Sequence, residues 1–172
     1  MITFKPLEEE DLTLLQHWRN SPGVLPYVRE YRFLSDYDQD KWWESYQKSR
    51  RTSEWDQELM ILCFQHKEIG VGGFVRTQWR NRRAELSFFI GEDTYRTKEI
   101  IKDSLEALLD LGFNTYGFHK ITWPVYGHDP NLPIYKQIMR EEAVLKEEYF
   151  WNGKFYDRHY LSMIEKEWNK EC

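Results

Sequence analysis

Residues 84–112, AELSFFIGEDTYRTKEIIKDSLEALLDLG, constrain this chain more than any other stretch. They read as an apolar strand, a tight acidic turn and a long helix. Ile101, Leu105, Leu108 and Gly112 share one stripe at helical spacing, and Ile100, Leu109 and Leu111 widen it. A strand that runs straight into a helix turns the helix's unpaired N–H groups, and the positive end of its dipole, toward whatever occupies the turn. Such a junction is an anion site by construction.

The remainder of the chain arranges itself around this unit. Ile2–Pro6 alternates as a short strand, and the acidic run Glu8, Glu9, Glu10, Asp11 suits the start of a helix carrying Leu12, Leu15 and Trp18, which Asn20-Ser21-Pro22-Gly23 ends. An irregular aromatic and basic segment, VLPYVREYRFLS, leads to a second helix over 38–49 with Trp42, Trp43 and Tyr46. Three short-linked strands follow at 59–65, 68–78 and 83–90, as an antiparallel meander. No helix follows the GVGG inside the second of them, so these glycines mark a bulge or a close backbone approach and not a phosphate loop. After the main helix come a strand at 119–126 interrupted by Pro124, a short helix over 131–139 opened by Asp129-Pro130, and two strands, 143–151 and 155–164, flanking the hairpin signal Asn152-Gly153.

This order, β-α-α-β-β-β-α-β-α-β-β, predicts an α+β (mixed α/β) fold: a central mixed sheet flanked by helices, in one domain over 1–172. The strand-helix-strand unit at its centre places two strands parallel. Ligands in such sheets favour the C-terminal ends of parallel strands, where the helix N-terminus also points.

Composition narrows the partners. A net charge of -5 argues against nucleic acid, and the only basic cluster, residues 76–83, reads as a solvated hairpin end. No apolar run approaches the roughly 20 residues of a membrane span, so the expectation is a cytoplasmic protein with no membrane partner. Cys63 and Cys172 make no disulfide framework, and His17, His66, His119, His128 and His159 lack ligand spacing, which predicts no metal. Aromatic content of 17% supplies flat apolar walls for a core or a pocket.

Several phrases in this order, ITFKPLEEEDLTLLQHWRN, AELSFFIG, LGFNTYGFHKITWPV and YFWNGKFYDRHYLSMIEKEW, resemble the GNAT superfamily of acyl-CoA-dependent N-acetyltransferases over nearly the whole chain. The nearest branch contains ribosomal-protein N-terminal and amino-sugar acetyltransferases. The resemblance implies an enzyme that moves an acetyl group from acetyl-CoA to a primary amine of a small molecule, an amino sugar or a polypeptide N-terminus, as a monomer or homodimer. It implies that Phe88, Phe89, Ile90, Arg96, Thr97, Lys98 and Asn131 hold acetyl-CoA. The family's pyrophosphate motif, Arg or Gln followed by x-x-Gly-x-Gly/Ala, falls on 96–101; Arg96 is kept, but Glu99 and Ile101 stand where glycines are expected. A side chain there obstructs close approach of the backbone to an anion, and Glu99 satisfies the helix dipole itself. That departure motivates an alternative, a GNAT-fold pseudoenzyme that has lost CoA and acts as a binding or scaffold protein.

Acetyl transfer to an amine needs a neutral amine, although alkylammonium groups titrate near about 10, and a proton for the departing thiolate. By resemblance the proton donor is Tyr135 in PIYKQI, and Asn131 or Asp129 takes the place of the family asparagine. Glu85 is the candidate base, with His119 and His128 as alternatives. The acceptor is expected between Tyr27, Arg29, Tyr31, Arg32 and Trp42 on one side and Trp151 and Tyr156 on the other. Aromatic walls with arginines suit a sugar nucleotide or a peptide end bearing carboxylate or phosphate.

Overall fold

Strand alternation fixes which way the central unit faces. In β4 (Arg83–Ile90), Ala84, Leu86, Phe88 and Ile90 are buried against α3 (Lys98–Asp110), while Glu85, Ser87 and Phe89 face the opposite side. The stripe of α3 meets them through Ile100, Ile101, Leu105, Leu108 and Leu109, all buried; Leu111 is only half-buried, in a wider turn that extends the helix over Leu111–Thr115. Gly72 admits this packing, because a methyl there would stand 2.6 Å from Leu108 Cδ1.

This computed structural model describes residues 1–51 and 54–169, so Cys172 lies outside the described residues. The remaining strands are β1 (Ile2–Pro6), β2 (Glu58–Phe64), β3 (Lys67–Gln78), β5 (Lys120–Tyr126), β6 (Arg140–Trp151) and β7 (Lys154–Ile164). The other helices are α1 (Leu12–Arg19), α2 (Asp36–Ser49), α4 (Leu132–Ile138) and a final turn, α5 (Glu165–Trp168), which the sequence pattern did not announce. One mixed sheet runs β1-β2-β3-β4-β5-β7-β6, antiparallel except for β4 and β5. Asn152 and Gly153 adopt φ of 47° and 79°, the left-handed pair that a tight hairpin requires. None of the described helices is long and apolar enough to cross a membrane.

Helices cover both faces. On the second face α1 and α2 bury Leu15, Trp18, Trp43 and Tyr46 against Leu59, Ile61 and Val71. The Tyr46 hydroxyl is locked in this core, donating to Leu59 O and accepting from Leu59 N. Helix α2 begins two residues earlier than the pattern predicts, because Ser35 caps it: Asp38 N donates to Ser35 Oγ, and Ser35 N donates to the Asp38 carboxylate.

Candidate active site at the split of the sheet

The parallel pair β4–β5 is joined for only three residues, Arg83–Glu85 against Lys120–Thr122, and then separates. The sequence supplies the cause. In this register the next ladder bond would run from the N–H of residue 124 to the Leu86 carbonyl, and Pro124 has no N–H. Beyond that point the Leu86 carbonyl and both main-chain groups of Phe88 face an open wedge; Ile90 O is taken by Arg96 Nε at 2.8 Å.

Two cavities meet at this wedge, sharing Tyr27, Val28, Phe88, Phe89, Trp123 and Pro124 as walls. The smaller, about 50 Å³, lies toward the start of α3 and adds Ile90, Arg96, Ile101, Asp129, Asn131 and Tyr135. Its charged group is folded inward: Arg96 Nη2 donates to Gly91 O at 3.0 Å and pairs with Asp93 at 2.6 Å. Gly23 makes room for that guanidinium, since a methyl there would stand 1.7 Å from Nη1. Thr97 caps α3, accepting from Ile100 N at 3.3 Å. Thr97, Lys98 and Glu99 are exposed, so the Glu99 carboxylate points to solvent, whereas Ile101 is 2% exposed and fills the wall.

Tyr135 is buried beneath the wedge with its ring 4.4 Å from that of Trp123. Its hydroxyl interacts with the Asp129 carboxyl and the Asn131 side chain, and burial, reinforced by Asp129, holds its pKa well above the ordinary tyrosine value. Asp129 is itself pushed up to about 6 by burial, against the pull of its bonds to Asn131 N and Tyr135. Both residues therefore hold their protons more firmly than exposed groups do, and Asp129 exchanges its own near neutrality.

The larger cavity, about 520 Å³, opens on the α1–α2 side. Tyr27, Arg29, Arg32 and Trp42 line it, and Glu85 forms part of its floor. Glu85 is ion-paired with Arg29 through one oxygen and with Arg76 through the other. Tyr31 lies outside the lining and is 62% exposed. Trp151 and Tyr156 line neither cavity; they stack around His128 with Tyr27, Tyr126 and Tyr149. His128 Nε2 donates to Pro26 O at 2.8 Å, and burial lowers its pKa. His119 is on the surface beside Glu165. Sequence reasoning missed Arg19, Gln39, Trp123 and Arg158, all of which line one or both cavities. Trp123 sits in the very phrase HKITWPV, directly before the strand-splitting Pro124, and its alternation with Ile121 and Val125 was the available signal.

A mixed sheet split beside a capped helix N-terminus, with an aromatic cavity on either side of the split, is the architecture of the GNAT fold. The chain belongs to the acetyltransferase (GNAT) domain family, which matches residues 2–131. Among characterised proteins it is similar to the spermidine N(1)-acetyltransferase of Vibrio cholerae, 25% identical over 158 residues that span 91% of this chain and 88% of the relative. Among solved structures, the spermidine N-acetyltransferase of Vibrio cholerae in complex with CoA and spermine superposes with a TM-score of 0.83 over 98% of both chains at 22% identity. A dodecameric form from the same organism gives 0.79 over 99% of this chain and 98% of that one at 21% identity. At that identity the structural likeness carries the fold. Among the described residues no cluster of His, Cys, Asp or Glu is arranged to hold a metal.

Proposed function

We propose that this chain is an N-acetyltransferase that moves an acetyl group from acetyl-CoA to a primary amine. The observation that carries the reading is the wedge between β4 and β5, where unpaired main-chain groups, two cavities and a buried tyrosine converge. A pantetheine arm is an extended chain with amides, and the free Leu86 carbonyl and Phe88 groups offer it the pairing of an added strand. Phe88, Phe89 and Ile90 would hold the arm, and Thr97, Lys98 and the first amides of α3 the pyrophosphate, with Arg96 turning outward and Asn131 beside the arm. When bound, acetyl-CoA supplies a reactive thioester and a thiolate leaving group.

The chain's own groups do the rest. Tyr135 holds a proton under the wedge, and Asp129 beside it replenishes that proton near neutral pH. Trp123, Phe88 and Phe89 keep water from the reacting atoms. Glu85 and Arg29 fix the floor on the acceptor side, and Glu85, on the strand that borders the wedge, is the carboxylate that takes a proton from the incoming amine. The acceptor amine lies in the larger cavity between Tyr27, Arg29 and Trp42.

A second reading, a pseudoenzyme without CoA, is favoured by the inward-folded Arg96, the buried Ile101 and the small volume on the cofactor side. Titration calorimetry with acetyl-CoA separates the two. Micromolar affinity supports the transferase, and no heat at millimolar ligand supports the pseudoenzyme. The scattering mass of the same sample distinguishes monomer and homodimer from the dodecamer seen for the related enzyme.

A further inference from the structure

A guanidinium is charged at any physiological pH, and burying one without a counter-charge is unfavourable unless something later completes it. Arg19, in the last turn of α1, is half-buried in this way. It lines the larger cavity, its Nε is buried without a partner, and among the described residues it makes no hydrogen bond or ion pair. Glu30 acts on it only through its field. Gln39 on α2 lines the same cavity, is 4% exposed, and leaves its amide nitrogen buried and unpartnered as well.

Every other cation in this lining has a carboxylate partner, although the Nε of Arg158, like that of Arg19, is buried without a hydrogen bond. Arg29 is paired with Glu85, Arg32 with Glu30 at 3.2 Å and Asp38 at 3.6 Å, Lys41 with Glu44 at 3.0 Å, and Arg158 with Glu148 at 3.1 Å. Those pairs also consume all three carboxylates of the lining, Glu30, Asp38 and Glu85. The buried, unpartnered polar atoms of this lining are all donors: Arg19 Nε, Arg158 Nε and the Gln39 amide nitrogen. The frame that presents Arg19 and Gln39 is rigid, because Gln16 and Asn20 both donate to Leu34 O at 2.9 Å and Leu34 N donates back to Asn20 Oδ1 at 2.8 Å.

We infer that the ligand of the larger cavity carries a carboxylate or phosphate that docks on Arg19 and Gln39, so that the acceptor is an anion-bearing primary amine and not a polyamine. The anion part rests on the cavity alone; the amine part rests on the transferase reading above. Orphaned donors match an acceptor-only oxyanion, whereas a polycation would meet more arginine and lysine than carboxylate, with every carboxylate of the lining already paired.

The test is equilibrium binding to the full chain without acetyl-CoA. Glucosamine phosphate is compared with glucosamine, tryptophan with tryptophan amide, and inorganic phosphate and spermidine are titrated alone. In at least one pair the anionic member should bind about tenfold or more tightly, and which pair responds tells phosphate from carboxylate. Arg19→Gln should erase the preference, and Arg19→Lys should retain part of it. Ligand-free Arg19→Gln should melt at the same temperature as the parent or higher, because an uncompensated charge has been removed. Equal binding within both pairs, tightest binding of spermidine, a preference that survives Arg19→Gln, or a lower melting temperature of that variant would each overturn the inference. An anion preference in a chain that ignores acetyl-CoA keeps the anion site and removes the transferase; acetyl-CoA binding without anion preference does the reverse.

Discussion

The two cavities that meet at the split sheet are built on opposite plans. On the cofactor side the polar groups have found one another: Arg96 closes on Ile90 O, Gly91 O and Asp93, and Tyr135 closes on Asp129 and Asn131. On the acceptor side Arg19 and Gln39 have found nothing, and the space is about 520 Å³ against about 50 Å³. A ligand entering the first must displace internal bonds of roughly 0.5–1.5 kcal/mol each before it gains its own. A ligand entering the second relieves groups the fold left unsatisfied. On the proposed reading, the smaller cavity's own contacts hold back affinity for the cofactor, and the larger cavity's unsatisfied donors set specificity for the acceptor in advance.

The largest expected effect tests whether the cofactor side performs chemistry at all. Tyr135→Phe removes the buried hydroxyl and keeps the ring against Trp123. Its kcat should fall by about 10²-fold or more, while calorimetric affinity for acetyl-CoA stays within about twofold. A variant with undiminished kcat would strip the tyrosine of its role and make the closed cavity a packing feature.

Next in size is Ile101→Ala, which asks whether the closed side is closed by packing. Ile101 is 2% exposed within the main core, so truncation should lower stability by about 2–4 kcal/mol, seen as an earlier urea midpoint. The same variant widens the cavity wall and should tighten acetyl-CoA. Loss of stability with no gain in affinity would place the obstruction at Arg96.

Asp129→Asn has a sign fixed by linkage. The native state raises the carboxyl from 3.8 to about 6, so the stability this proton contributes is full below the unfolded value and lost as pH rises through about 6. Above that, the ionised and largely buried carboxylate opposes folding by at most about 3 kcal/mol. The neutral amide should therefore melt higher than the parent at about pH 8 and nearly with it at about pH 4. A variant that melts lower at both would show that the Asp129 contacts to Tyr135 and Asn131 outweigh its burial.

How far the sequence reached follows the same division. The strand-turn-helix unit, the parallel pair and the Asn152-Gly153 hairpin were legible, because periodicity and turn chemistry are local signals, and the family phrases led to Tyr135, which lines the smaller cavity. Arg19 was not legible. In sequence it is a basic residue in the last turn of a helix, the ordinary complement to a dipole, and only the tertiary structure shows that no partner arrives. Gln39 was hidden for the same reason. Trp151 and Tyr156 differ in the opposite sense: as aromatic residues of the last hairpin they looked like acceptor walls, whereas the structure stacks them on His128, on the β5–α4 connection, outside both cavity linings. Pro124 was read as an irregularity, and the register turns it into the reason the sheet opens.

The smallest effect bears on the point where the family pattern is broken. Glu99 is exposed in the first turn of α3, so it does not obstruct by bulk as Ile101 does; it competes by charge. Glu99→Gln keeps the side chain's size and removes that charge. The helix loses a dipole partner worth about 0.3–1 kcal/mol, while a pyrophosphate approaching the same amides gains by a similar amount because nothing negative opposes it. Stability should fall slightly and acetyl-CoA affinity should rise about two- to fivefold at low ionic strength. Both changes should shrink as salt is added, since an exposed carboxylate is screened. The salt dependence separates this position from Ile101, whose effect is steric and should be indifferent to it.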